Sequence, residues 1–303
     1  MSDVVKYNRD GLDEQQFLAA YDASRFDRPS VTVDMLVFTV TDEEESNYRK
    51  LPQKELRLLL VKRADHPFIS RWALPGGFVH MDESLDEAAR RELREETGVE
   101  HIYMEQLYTF GDLKRDPRTR VISTAYMALV DSSRLSIRSG DDACDARWFA
   151  VSLKPYSERK MRTQNGIVEE TVCNLTLSYP GEELKGQVRT VITTEGRARR
   201  VERDVLPGGD LAFDHAAIIA CGVERLKNKI EYTDIAFSLM PEFFTLTELQ
   251  QVYEIVLDRE LLKANFRRKT AGMVLETDHY TSDAGHRPSR LYRFNTNWKA
   301  QEE

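Results

Sequence analysis

The sequence is poor in cysteine. Cys144, Cys173 and Cys221 are the only three in 303 residues. They are odd in number, far apart and without the short spacings of zinc ligands. A disulfide framework is excluded, and three free thiols in a reducing cytoplasm are expected. Long apolar runs are missing too. No stretch approaches the roughly 20 apolar residues that a membrane helix needs. The first residues, MSDVVKYNRDGLDEQQ, lack a basic region followed by an apolar core, so no secretory signal is expected. Positive charge is in deficit, with 43 Lys and Arg against 51 Asp and Glu and a net charge of −8. As an average this argues against a nucleic-acid protein, but the C-terminal region departs from it. What remains is ordinary globular material, 41% hydrophobic, in a chain long enough for two domains.

Residues 77–99 read GFVHMDESLDEAARRELREETGV. Ser84 with Glu87 forms a capping box, which starts a helix at about Leu85. Gly98 suits the left-handed turn that ends one. At about 100° per residue, Leu85, Ala88, Ala89 and Leu93 form the apolar arc. Glu92 and Glu96 fall inside that arc and Glu95 lies at its edge. A carboxylate on a buried face is costly unless paired or bound to a cation. A hard divalent cation resolves the conflict, because Mg²⁺ takes oxygen ligands and bridges carboxylates to phosphates. Arg91 is placed to orient a neighbouring glutamate. The competing explanation is a solvated helix with bridges such as Glu87 to Arg91; it accounts for the outer face and not for the inner carboxylates.

The same residues match the Nudix box, G-x5-E-x7-R-E-U-x-E-E-x-G-U with U apolar, at Gly77, Glu83, Arg91, Glu92, Leu93, Glu95, Glu96, Gly98 and Val99. The chain thus resembles the Nudix family, whose members cleave a diphosphate linked to another moiety with divalent metal. The resemblance implies an α/β/α sandwich with a mixed sheet. It assigns catalysis to Arg91, Glu92, Glu95 and Glu96, and Mg²⁺ or Mn²⁺ to Glu92, Glu95, Glu96 and Glu83. One of the box glutamates, or Asp142 or Asp145 before Trp148, is the general base. Gly76 and Gly77 allow a tight turn that brings backbone near the substrate. Arg115, Arg118 and Arg120 either grip substrate phosphate or are surface residues.

Strands are expected at 31–40, 55–63, 105–111, 120–130 and 146–151, and the sandwich's last helix at 215–230 with Asp214 as its cap. The stretch from about 152 to 210 reads as a β-rich insert, including two strands around Gly196. From Glu231 the grammar changes. Thr233–Met240 reads as a short helix stopped by Pro241. Thr245 and Glu248 form a second capping box, and a third helix is expected from about Glu260 to Thr270 with Leu262 and Phe266 inward and Gly272 as its stop. Residues 273–279 and 289–294 pair as a hairpin. This order describes a winged helix-turn-helix, giving domains 1–230 and 231–303. Lys263, Asn265, Arg267, Arg268 and Lys269 on the third helix, with His286, Arg287 and Arg290 on the wing, suit double-stranded DNA. The other reading is a solvated basic face on a small dimerisation module.

A Nudix domain followed by a winged helix resembles the Nudix-related transcriptional regulators of bacterial NAD and sugar metabolism, and related ADP-ribose pyrophosphatases. The likeness extends through FDRPSVTVDMLVF, TFGDLKRDPRTRVISTAYMAL, LAFDHAAII, FTLTELQQVYEIVL, NFRRK and RPSRLYRF; the insert lies outside it. It implies hydrolysis of a nucleoside diphosphate-linked substrate, ADP-ribose to AMP and ribose 5-phosphate, by a cytoplasmic homodimer that binds DNA. The alternative is an ADP-ribose-sensing regulator with weak or no hydrolysis. Some regulators of that kind have a degraded box; here it is intact.

Overall fold

The computed structural model describes residues 6–42, 53–134, 146–281 and 288–299. The expected base candidates Asp142 and Asp145, together with Cys144, His286 and Arg287, lie outside the described residues.

The chain opens with the exposed helix α1 (Glu14–Ala20), capped by Asp13 and Gln16. The strands β1 (Ser30–Asp42), β2 (Lys54–Lys62), β3 (Trp72–Ala73) and β4 (Gly76–Phe78) follow. Then come α2 (Leu85–Thr97), β5 (Tyr103–Phe110) and β6 (Val121–Asp131). Four long strands complete the sheet: β7 (Ala146–Arg162), β8 (Gly166–Tyr179), β9 (Glu182–Glu195) and β10 (Ala198–Val205). The sheet order is β10-β9-β8-β7-β2-β1-β6-β5, with β3 on β2 and β4 on β1. β1 and β6 run parallel and the other pairs antiparallel, so the sheet is mixed.

The sequence of β1 dictates the two layers. Side chains alternate along a strand. Val33, Met35 and Val37 meet Ala88, Ala89 and Leu93 of α2. Leu36, Phe38 and Val40 meet the helix α3 (His215–Ile230), through residues such as Ile218, Ile219 and Leu226. A strand buried on both faces reads as a continuous apolar run, and VTVDMLVFTV is one.

The β-rich insert is anchored to the sandwich by continuing its sheet. The strand expected at 146–151 continues to Arg162, and its outer half carries β8 and β9, paired over Gly166–Tyr179 and Glu182–Glu195. A bulge between Pro155 and Ser157 absorbs the proline, which has no N–H to donate. The meander is tied to the sandwich at Trp72, whose indole packs on Phe149 at 4.9 Å and donates to Glu182 Oε1 at 2.7 Å.

Beyond α3 the expected first helix of the second unit is a 3-10 segment, Ile235–Leu239. α4 (Leu246–Leu257) has the Thr245/Glu248 capping box. The third helix, α5 (Lys263–Thr270), starts later than Glu260. Leu262 sits just before it and is 74% exposed, not inward; Phe266 is buried. Asp258, with φ +56, ends α4 and turns the chain so that only the Phe266 side of α5 meets the α4 core. α5 runs out through Ala271 in ordinary helical geometry, so Gly272 supplies no left-handed stop. β11 (Val274–Tyr280) and β12 (Arg290–Phe294) form the wing. Phe244 and Tyr292 exchange backbone bonds that fasten the wing to the start of α4. One apolar cluster runs from Leu36 and Ile219 to Leu249, Tyr253 and Phe266. Ion pairs Lys154–Asp258, Arg259–Glu231 and Lys229–Glu105 join the same regions.

Candidate active site and nucleic-acid face

α2 forms where its caps predict. Ser84 Oγ accepts from Glu87 N–H, Ser84 N–H donates to Glu87, and Gly98 closes the helix at φ +66. Tyr126 donates to Asp86 at 2.6 Å and holds the helix to the sheet. Ala88, Ala89 and Leu93 are buried, and Glu92 is buried with them. Glu96 is half-buried and Glu95 exposed.

Arg91 organises the carboxylates. It donates to both oxygens of Glu83 at 3.1 and 2.8 Å, to Glu92 Oε1 at 2.7 Å and to the Phe78 carbonyl at 3.2 Å. Glu95 lies 3.5 Å away. These bonds hold the Glu83 carboxyl down at about 2. Glu92 behaves oppositely: burial raises it, and Arg91 only partly offsets that. Glu96 is raised by burial and then by the negative charges of Glu92 and Glu95. Among the described residues Glu96 has no ion pair. Burying carboxylates side by side with one guanidinium between them leaves negative charge uncompensated. That donor set fits a hard divalent cation. Among the described residues no three acidic, His or Cys side chains already converge as a closed cage.

Gly76 and Gly77 have distinct reasons to be glycine. At Gly76 φ is +156 and a Cβ would lie 2.2 Å from the Val33 carbonyl oxygen. At Gly77 a Cβ would lie 2.2 Å from Glu92 Oε1. The second glycine therefore makes room for a box carboxylate.

The three arginines of the RDPRTR segment differ in what they touch. Arg115 is buried and committed to the fold. It donates to Asp214 at 3.0 and 2.8 Å and to Asp34 at 3.2 Å. Burial pulls its guanidinium down, but Asp214 and Asp34 together leave it raised. Ser123 also donates to Asp34, and His215 lies 3.6 Å from it while accepting the Leu74 N–H at 2.8 Å. Asp214 therefore does not cap α3 with its side chain as expected; Arg115 takes that carboxylate. Arg120 donates to the carbonyls of Asp112 and Val121. Arg118 is paired to Asp116, and its guanidinium also lies near the rings of Phe78 and Phe213. Phe213, Asp34 and His215 went unassigned in the sequence; the only available hint was their place inside VTVDMLVF and LAFDHAAII.

On α5, Lys263, Asn265, Arg267 and Arg268 are exposed. Lys269 is exposed as well, but its ammonium also lies 5.2 Å from the Tyr253 ring, where desolvation lowers its pKa. Arg290 pairs with Glu276 and Tyr280 across the wing.

Fold and site define a Nudix domain joined to a winged helix. Comparison with known families agrees: residues 50–163 match the Nudix domain and residues 236–294 the NrtR DNA-binding winged helix domain. The chain is 34% identical to the ADPR responsive transcriptional repressor NtrR of Acinetobacter baylyi, over 93% of this chain and 88% of that one. It is 39% identical to the ADP-ribose pyrophosphatase of Methanocaldococcus jannaschii, over 34% of this chain and 60% of that one. Among solved structures, a MutT/nudix family protein from Enterococcus faecalis matches with TM-score 0.65 and 30% identity, covering 93% and 94% of the two chains. Shewanella oneidensis NrtR complexed with a 27mer DNA matches with TM-score 0.59 and 27% identity, covering 88% and 93%. The chain belongs to the Nudix proteins that carry an NrtR-type DNA-binding winged helix. No helix among the described residues is long and apolar enough to cross a membrane.

Proposed function

We propose that this chain hydrolyses a nucleoside diphosphate-linked substrate, ADP-ribose above others, and that its winged helix, from Glu231 onward, binds DNA. One observation carries the first part: an intact box whose helix buries Glu92 and half-buries Glu96, with the single guanidinium of Arg91 shared among Glu83, Glu92 and Glu95 and, among the described residues, none paired to Glu96. Glu92, Glu95 and Glu96 would hold Mg²⁺ or Mn²⁺, with Glu83 in support; the metal would neutralise charge on the diphosphate and activate water. Arg91 keeps Glu83 and Glu92 in place. A box carboxylate, or Asp142 or Asp145, accepts the proton as water adds to phosphorus and the P–O–P bridge breaks. AMP and ribose 5-phosphate leave. The test is release of AMP from ADP-ribose with Mg²⁺ by the parent chain, against Glu96→Gln. Metal-dependent turnover lost in the variant, with melting unchanged, supports the assignment. Near-normal turnover in the variant at saturating Mg²⁺ counts decisively against it.

A second reading is favoured by the full-length likeness to an ADPR responsive repressor. In it the Nudix domain senses the same ligand with weak or no turnover. α3 supports a coupling in either case, because it begins at the Asp34–Arg115–Asp214 network and ends where Lys229 and Glu231 pair with Glu105 and Arg259. A ligand changes DNA affinity only by binding two arrangements differently. DNA affinity of the Glu96→Gln protein, with and without ADP-ribose, decides this; unchanged affinity removes the coupling. A homodimer matches a two-fold operator. A monomer by light scattering, with and without DNA, would contradict it.

A further inference from the structure

β4 has one paired edge. Gly76, Gly77 and Phe78 face Asp34, Val33 and Thr32, and among the described residues β4 pairs with no strand other than β1. Met35 N–H donates to the Pro75 carbonyl and Val79 N–H to the Val31 carbonyl on either side. The alternation of an antiparallel ladder then turns the N–H of Gly77 toward β1, and those of Gly76 and Phe78 toward the open edge. Gly77 lies on the Glu92 side of this edge. Phe78, one residue on, lies on the opposite side, with Asp34 and α3.

There Phe78 begins an array of rings and guanidinium planes. The Arg118 guanidinium lies 5.8 Å from the Phe78 ring and 5.9 Å from the Phe213 ring. Arg63 lies 4.8 Å from the same Phe213 ring, and Phe68 meets it edge-on at 4.8 Å. Burial and then the positive charge of Arg118 pull Arg63 below its ordinary value. Two like charges thus share one ring. Phe68, Ser70 and Phe213 have φ of +63, +64 and +50, three of the five positive-φ non-glycine residues among those described. Such conformations cost stability and collect at ligand sites. Phe78 is 47% exposed and the Arg118 side chain 44%, so the planes are reachable.

Phenyl and guanidinium planes are what nucleobases stack upon, with little regard to base identity. We propose that this array is the nucleobase subsite. The substrate crosses the open edge of β4, its diphosphate on the Glu92 side and its purine ring stacked against Phe78, Arg118 and Phe213. The inference rests on the nucleotide reading above and adds the residues that recognise the base. It also adds a specificity: stacking without edge-reading ranks AMP and GMP together, above UMP, and all above ribose 5-phosphate.

The variants are Phe78→Ala, which removes one plane, and Arg118→Lys, which keeps the charge facing Asp116 but loses the planar fork. Losing one stacked contact corresponds to about fivefold or more in affinity. KM for ADP-ribose and the inhibition constant of AMP should each rise at least about fivefold in both variants, with kcat within about twofold and inhibition by ribose 5-phosphate unchanged. Unchanged KM, or equal weakening of AMP and ribose 5-phosphate, overturns the subsite. If the parent proves not to hydrolyse ADP-ribose, calorimetry with AMP and ribose 5-phosphate reads the same contrast. AMP binding weakened in the variants would then uphold the subsite while the hydrolase reading falls; AMP binding equal in parent and variants would sink the subsite.

Discussion

Gly77→Ala separates the placement of a carboxylate from the stability of the fold. The added methyl group would stand 2.2 Å from Glu92 Oε1 and 3.0 Å from its carboxyl carbon, against a floor of 3.0 Å for real Cβ contacts. The oxygen must therefore retreat by about 0.8 Å. It is able to do so, because it is the end of a side chain and Gly77 does not have a positive φ. The retreat loosens the 2.7 Å bond from Arg91, which keeps both its bonds to Glu83. The stability cost should be about 1–2 kcal/mol, a few degrees in Tm. The cost to turnover should be larger. A misplacement of about 1 Å in a catalytic constellation lowers rates about 10²-fold, or about 2.7 kcal/mol of transition-state stabilisation. The assay is Mg²⁺-dependent kcat/KM for ADP-ribose beside a melting curve. Gly76→Ala is the contrast: its clash is with the Val33 carbonyl at a φ of +156, so the fold itself should suffer. If Gly77→Ala retains kcat/KM within about threefold of the parent, the claim that this glycine exists to seat Glu92 is wrong.

Three further outcomes are expected. Arg115→Ala leaves the buried Asp34 and the half-buried Asp214 without their cation and should destabilise by about 3–5 kcal/mol in urea unfolding; a loss below about 1 kcal/mol would return Arg115 to the candidates for substrate binding. His215 is lowered by burial in the native state. The unfolded chain therefore takes a proton that the native chain refuses as pH falls below about 6.5, and stability should decline there by up to about 1.4 kcal/mol per pH unit. Glu83, held at about 2, acts only from about 4.5 downward. Urea midpoints that are flat from pH 7.5 to 5, or a decline that persists in His215→Gln, would remove this assignment. Arg267→Ala with Arg268→Ala should weaken DNA binding and lower the salt dependence by roughly two counterions' worth, with hydrolysis unchanged; an unaltered salt slope would take α5 off the DNA.

The box and its helix were legible because they are local. A capping box, a glycine stop and a 3.6-residue period specify α2 and the faces of Glu92, Glu95 and Glu96 within one short segment. The double-sided burial of β1 was legible for the same reason, as was the winged helix from its second capping box and its hairpin. Pairings between distant segments were not. Nothing near Arg115 in the chain announces Asp34 or Asp214, which lie 81 and 99 residues away. An arginine in a basic loop therefore resembles a phosphate ligand until the sheet closes around it. Leu262 shows the converse. Helical spacing turned it inward, but α4 ends at the left-handed Asp258 and α5 begins only at Lys263, so Leu262 points to solvent. The array of Phe68, Phe78 and Phe213 drew on three separate segments and had no periodicity to betray it. Sequence by itself determined where chemistry-bearing side chains sit along each element, since that depends on spacing and caps. Only the tertiary structure decided which charges were neutralised, because a partner's identity depends on which distant strand or helix end is brought to the same buried place.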